Sequence, residues 1–243
     1  MRAFVITLMK NEKSVEAAER CIGSASKVGL NVEKFDAFAP ENKPFEILRN
    51  NRVITEGIIE KYSRSENCAA AFLSHFTLWK KCLELNAPII IFEHDAFVVD
   101  PIAPSLLEGY GFKQMISIGK PSYGQWRPPQ FLGTGPLTSK KYFPGAHAYI
   151  VKPAGARTVI EYAQTTGARP TDVYLNKDAF PFWLDCIVSF KTISGATCQI
   201  ESATIPGSTA EIKPAPLDMA PFNAKYAAPG YFSLPAISNV LPL

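Results

Sequence analysis

The chain has no long hydrophobic run. No stretch approaches the roughly 20 apolar residues needed to cross a bilayer, so no transmembrane segment is expected, although peripheral membrane contact stays open. The apolar stretch Ala3 to Leu8 is soon interrupted by Asn11 and Glu12, too early for a signal-peptide core, and the expected location is cytoplasmic. Basic runs are also lacking. Net charge is only +3 and the longest basic clusters are pairs, Lys80-Lys81 and Lys140-Lys141, which argues against a nucleic-acid partner. Five cysteines occur, Cys21, Cys68, Cys82, Cys186 and Cys198, with no CxxC pair and no histidine at finger-like spacing. An odd, scattered set fits core residues in a reducing compartment better than a disulfide framework or a zinc site. Nucleophile elbow, Walker A, HExxH and GxGxxG motifs are missing, which leaves hydrolase and dinucleotide readings without support.

What is present is an ordinary globular balance. With 243 residues, 47% hydrophobic and 19% charged, the chain suits one large domain, or one domain with an appendage. Ala3 to Leu8 predicts a buried strand, Ser14 to Gly29 a helix capped by Ser14, and Val32 to Asp36 a second strand. Short helices are expected over 45–63. Phe72, Phe76, Trp79 and Leu83 mark one apolar face of a helix over 66–85. Pro88 breaks it, and Ile89-Ile90-Ile91-Phe92 predicts a central strand. Further strands are expected at 115–118, 146–151 and 187–193, with a helix opening at Pro153. This β-α-β alternation implies an α/β fold. Seven prolines after Ser202 break up a tail that stays apolar, and we expect residues 203–243 to pack on the domain or on a partner.

Glu93-His94-Asp95 directly follows the central strand, at the edge where open α/β sheets bind ligands. On an extended backbone residues 93 and 95 point the same way. Two such carboxylates suit a divalent cation that bridges diphosphate oxygens; the plainer alternative is a solvated turn. The polar pair Ser74-His75 interrupts an apolar helix, as cleft residues or as packed ones. Asp172 sits at a helix start, where it serves as a cap or as a general base toward an acceptor hydroxyl. Trp126, Trp183, Tyr123, Tyr142 and Phe143 are candidates for stacking on sugar faces.

Taken in order, these segments resemble glycosyltransferase family 25. The chain reads Asn67-Cys68-Ala69-Ala70-Ala71-Phe72-Leu73-Ser74-His75-Phe76-Thr77-Leu78-Trp79, then Ile89-Ile90-Ile91-Phe92-Glu93-His94-Asp95. These are similar to the family's S-H-x-x-x-W segment and to its apolar strand ending in three acids, with His94 in the middle acid's place. Gly145 to Ala156 and Arg169 to Leu175 are similar to two later segments. The resemblance implies a GT-A-like, Rossmann-like mixed sheet flanked by helices over 1–202. It also implies a UDP-sugar donor such as UDP-galactose, a carbohydrate acceptor such as lipopolysaccharide, inversion, and a Mn²⁺ or Mg²⁺ cofactor. Carried over to this chain, Glu93 and Asp95 hold the metal and diphosphate, and Glu93 also shares in catalysis. Thr7, Leu8, Ser74 and His75 line the donor site, and Asp172 serves the acceptor side. Two other readings stay open on these residues: a sugar- or nucleotide-binding module without catalysis, and an assembly protein docked through its tail.

Overall fold

A computed structural model describes residues 1–99, 101–102, 104–108, 114–120, 134–136, 146–180, 186–189 and 197–199, all within one compact unit spanning 1–211. The expected boundary at residue 202, the apolar tail and the five loop aromatics lie outside the described residues. The opening is β-α-β: β1 (Arg2–Thr7), α1 (Glu12–Ser26) and β2 (Glu33–Asp36). Asn11, not Ser14, caps α1, its side chain accepting from the Ser14 amide at 3.1 Å. The Ser14 hydroxyl turns back instead and accepts from the Leu8 amide at 2.9 Å, tying the helix start to the strand end. Gly29 holds a left-handed φ of 77° in the turn after the helix, a conformation that a side chain would strain.

Helices α2 (Pro44–Asn50) and α3 (Glu56–Lys61) precede the long α4 (Ser65–Leu85). Asn86 ends α4 in the left-handed region, φ 45°, a conformation asparagine tolerates better than most residues. Next come β3 (Ile89–Glu93), β4 (Ala96–Val98), the short α5 (Pro104–Leu107), β5 (Met115–Ser117), β6 (Gly119–Lys120), β7 (Thr134–Pro136) and β8 (Ala148–Val151). They are followed by α6 (Pro153–Thr166), α7 (Thr171–Tyr174), β9 (Cys186–Ser189) and β10 (Thr197–Gln199).

The main sheet has the order β2-β1-β3-β8-β5, continued by β9 and β7. Strands β1, β2 and β3 are parallel; β8 runs against β3 and β5. Period-two alternation splits the core into two clusters. Phe4, Ile6, Ile89, Ile91 and Tyr149 face the helices α4, α6 and α7. Ala3, Val5, Ile90, Phe92 and Ile150 face α1 through Ala18, Cys21 and Ala25. Ile89, Ile90, Ile91 and Phe92 are fully buried, each contributing about 1.5–3 kcal/mol, which explains why this apolar run is a central strand. Helix α4 is covered on more than the expected face: Phe72, Phe76 and Trp79 are joined in the core by Leu73, Leu78 and Cys82. Among the described residues no helix is long and apolar enough to cross a membrane.

Candidate active site

The parallel register lines up one rim of the sheet. Thr7 pairs with Asp36 and Ile6 with Glu93. On the far side of β3 the Glu93 amide donates to the His147 carbonyl at 2.9 Å. The ends of β2, β1 and β3 and the start of β8 therefore meet along one edge, where open α/β sheets hold their ligands. A cleft of about 400 Å³ opens there, lined among others by Leu8, Lys10, Asp36, Phe38, Glu41 and Asn42. That volume lies within the range of small-molecule sites. Leu8 sits in its wall. Thr7 does not: its side chain is buried, its hydroxyl donates to the Val5 carbonyl at 3.0 Å, and its carbonyl accepts from Ala37 at 2.8 Å.

Ser74 and His75 are neighbours on α4, and each reaches a different strand exit. The Ser74 hydroxyl accepts from the Phe38 amide at 3.0 Å and donates to the Ala70 carbonyl at 2.9 Å. With its one proton spent and no exposed surface, Ser74 braces the cleft wall at Phe38. His75, also buried, places Nε2 3.4 Å from Glu93 Oε1 and Nδ1 2.9 Å from the Tyr149 hydroxyl. Glu93 itself stays one-third exposed. Burial pushes its carboxyl up, but the hydrogen bond from His75, with His147 and His94 adding, holds it below its ordinary value.

The expected Glu93–Asp95 pair is corrected by the backbone. Strand β3 ends at Glu93, and His94 and Asp95 form a turn, so the alternation of extended chain no longer applies. Glu93 lies on the α4 face with His75. Asp95 is buried, and its charge reaches Cys21 of α1 in the opposite cluster; burial first and then Asp95 push that thiol up to about 12. Among the described residues no group of three His, Cys, Asp or Glu side chains gathers where it could hold a metal.

Asp172 is not the cap of its helix. Pro170 holds that place, and Asp172 Oδ1 accepts from the Val173 amide at 2.9 Å. Short α7 is anchored by Tyr174, whose ring stacks on Trp79 at 5.7 Å and meets Phe72 edge-on at 4.8 Å. Burial, and then the charge of Glu93, raise the Asp172 carboxyl above its ordinary value. The charge of Glu93 thus reaches Asp172, and the two carboxyls are shifted in opposite directions. His147 completes the rim. Its ring is buried against Gly119, where a Cβ would fall 2.5 Å from it. Neither ring nitrogen has a hydrogen-bond partner among the described residues, and burial lowers its pKa against the pull of Glu93.

Sequence reasoning missed Asp36, His147 and the polar role of Tyr149. A carboxylate ending the second strand of a β-α-β unit was a signal for the first. The other two sat in apolar strings and carried none.

Residues 1–111 match the model of glycosyltransferase family 25 (LPS biosynthesis protein). That stretch includes Ser74-His75, Trp79 and Glu93-His94-Asp95; the segments at 145–156 and 169–175 fall beyond it. No curated protein matches the chain. One similar solved structure is a glycosyltransferase involved in the glycosylation of the major capsid of PBCV-1. It has 9% identity and a TM-score of 0.44, covering 82% of this chain and 93% of that one. Another is a protein from STIV at 11% identity and a TM-score of 0.45, covering 89% and 96%. Both likenesses are too distant to carry an argument. Over residues 1–111, less than half of its length, the chain is thus similar to glycosyltransferase family 25.

Proposed function

We propose that the protein transfers a hexose, such as galactose, from a UDP-sugar to a carbohydrate acceptor such as lipopolysaccharide, with inversion, on a GT-A-like sheet. The observation that carries this reading is the cleft at the ends of β1 and β2, beside Glu93 on the same rim. The nucleoside lies against Leu8 and Phe38, and Asp36 accepts hydrogen bonds from the ribose hydroxyls. The sugar then extends along the rim toward Glu93 and Asp172.

Asp172 is the general base of this proposal. Its raised carboxyl pKa brings it nearer the operating pH, where a base is most effective. It takes the acceptor hydroxyl proton as that oxygen bonds to the anomeric carbon; the bond from that carbon to the diphosphate breaks, and UDP leaves with the electron pair. A Mn²⁺ or Mg²⁺ ion belongs to the proposal only through the family resemblance. Its chemistry would be to neutralise charge on the departing diphosphate. No step here runs through it.

Calorimetric titration with UDP and UDP-galactose, with and without Mn²⁺, tests the reading together with a UDP-release assay. Asp36→Asn is expected to weaken UDP binding about tenfold or more, the loss of a hydrogen bond to a charged group. UDP binding indifferent to this change, or no UDP release from any donor and acceptor panel, refutes the assignment.

A further inference from the structure

Trp79, Tyr149 and His75 form a line of buried polar groups that ends at Glu93. The Trp79 indole nitrogen donates to the Tyr149 hydroxyl oxygen at 2.9 Å, and an indole N–H only donates. The same hydroxyl lies 2.9 Å from His75 Nδ1, and His75 Nε2 lies 3.4 Å from Glu93 Oε1. An ionised carboxylate only accepts, so Nε2 carries a proton. The Tyr149 hydroxyl, already accepting from Trp79, turns its own proton toward Nδ1, which is then the bare ring nitrogen. Each bond fixes the direction of the next.

The line is sealed from water along its length: Trp79 and Tyr149 have no exposure and His75 has 2%. The Tyr149 and His75 rings also stack, with centroids 5.9 Å apart and planes 17° from parallel. Burial above all, with the Glu93 charge adding, keeps the Tyr149 hydroxyl protonated far beyond its ordinary range. Apolar side chains would fill this space without the need to satisfy four polar atoms. The network instead delivers its directionality to the single member that reaches solvent, Glu93, at the rim of the sheet.

We propose that Tyr149 is a positioning residue which fixes His75 as the Nε2–H tautomer and so holds Glu93 by Oε1, leaving Oε2 turned to the bound donor. The last clause rests on the transferase reading above; the tautomer does not. Long-range proton–nitrogen spectra of ¹⁵N-labelled protein distinguish the ring forms, and the chain has only three histidines. The wild-type protein is expected to show protonated Nε2 and bare Nδ1 at His75. Tyr149→Phe is expected to lose that single form and to lower kcat by about 10–100-fold, as orienting groups do, while the donor KM stays within about twofold. His75→Gln, whose amide N–H replaces Nε2–H, is expected to retain activity that His75→Phe loses. A protonated Nδ1 in the wild type overturns the proposal, as does Tyr149→Phe with tautomer and kcat unchanged. Should the wild type show no turnover, the transferase reading falls, and the tautomers of wild type and Tyr149→Phe still decide whether Tyr149 sets the ring.

Discussion

Removing the Ser74 hydroxyl isolates how α4 supports the cleft. In Ser74→Ala the Phe38 amide loses its acceptor at 3.0 Å, in a part-buried position closed over by the helix. The Ala70 carbonyl loses a second donor only, since the helical pattern still supplies its backbone partner. The cost is thus that of one stranded donor, about 1–3 kcal/mol. Taking about 2 kcal/mol, a chain of this size is expected to melt roughly 4–8 °C lower. Thr165→Ala is the control: its hydroxyl also donates to a carbonyl one turn back, at Glu161, but on an exposed surface, and its effect should stay within about 0.5 kcal/mol. Calorimetry gives the melting shift, and amide hydrogen exchange locates it. Exchange should quicken at Phe38 and stay slow at Ile91 in the core of β3. Unchanged melting together with unchanged exchange at Phe38 would refute the claim that Ser74 holds the cleft wall.

Two further changes test other parts of the structure. Gly155→Ala lies inside α6, where alanine normally gains about 1 kcal/mol; here the new Cβ falls 2.4 Å from the Gln114 carbonyl oxygen. Overpacking against backbone should reverse the sign and cost about 1–3 kcal/mol by urea unfolding, and a stabilised variant contradicts the packing. Asp172 has a carboxyl pKa raised by folding, so the native chain binds more protons than the unfolded one between its ordinary and its raised value. Stability is then fully present below the ordinary value and falls as pH rises through the raised one. Asp172→Asn should flatten that fall in a pH series of unfolding curves while lowering transfer about 100-fold or more; an unaltered pH series opposes the linkage.

Much of the framework was legible in the sequence because burial writes itself as pattern. The run Ile89 to Phe92 could only be a central strand, and Pro153 with Ala156, Val159 and Ala163 marked α6 and its buried face. Local hydrogen bonding was harder to foresee. Ser14 has the chemistry of a cap, yet Asn11 takes that place because Ser14 is drawn to the Leu8 amide. The largest departure is at Glu93 and Asp95, where alternation was extended two residues beyond the strand. The chain turns at His94, and a turn leaves no periodic trace. Thr7 and Ser74 lie near the rim, but whether a hydroxyl faces a ligand or a carbonyl depends on partners far away in sequence. Tyr149 looked like one more core aromatic for the same reason.

The reversed direction of β8 has a consequence for how such a rim can diversify. Asp36 and Glu93 arrive as the chain leaves strands β2 and β3, whereas His147 arrives just before the chain enters β8. Described residues from separate parts of the chain therefore meet along one edge. A substitution at His147 can therefore act on that edge while the register that aligns Thr7 with Asp36 stays in place.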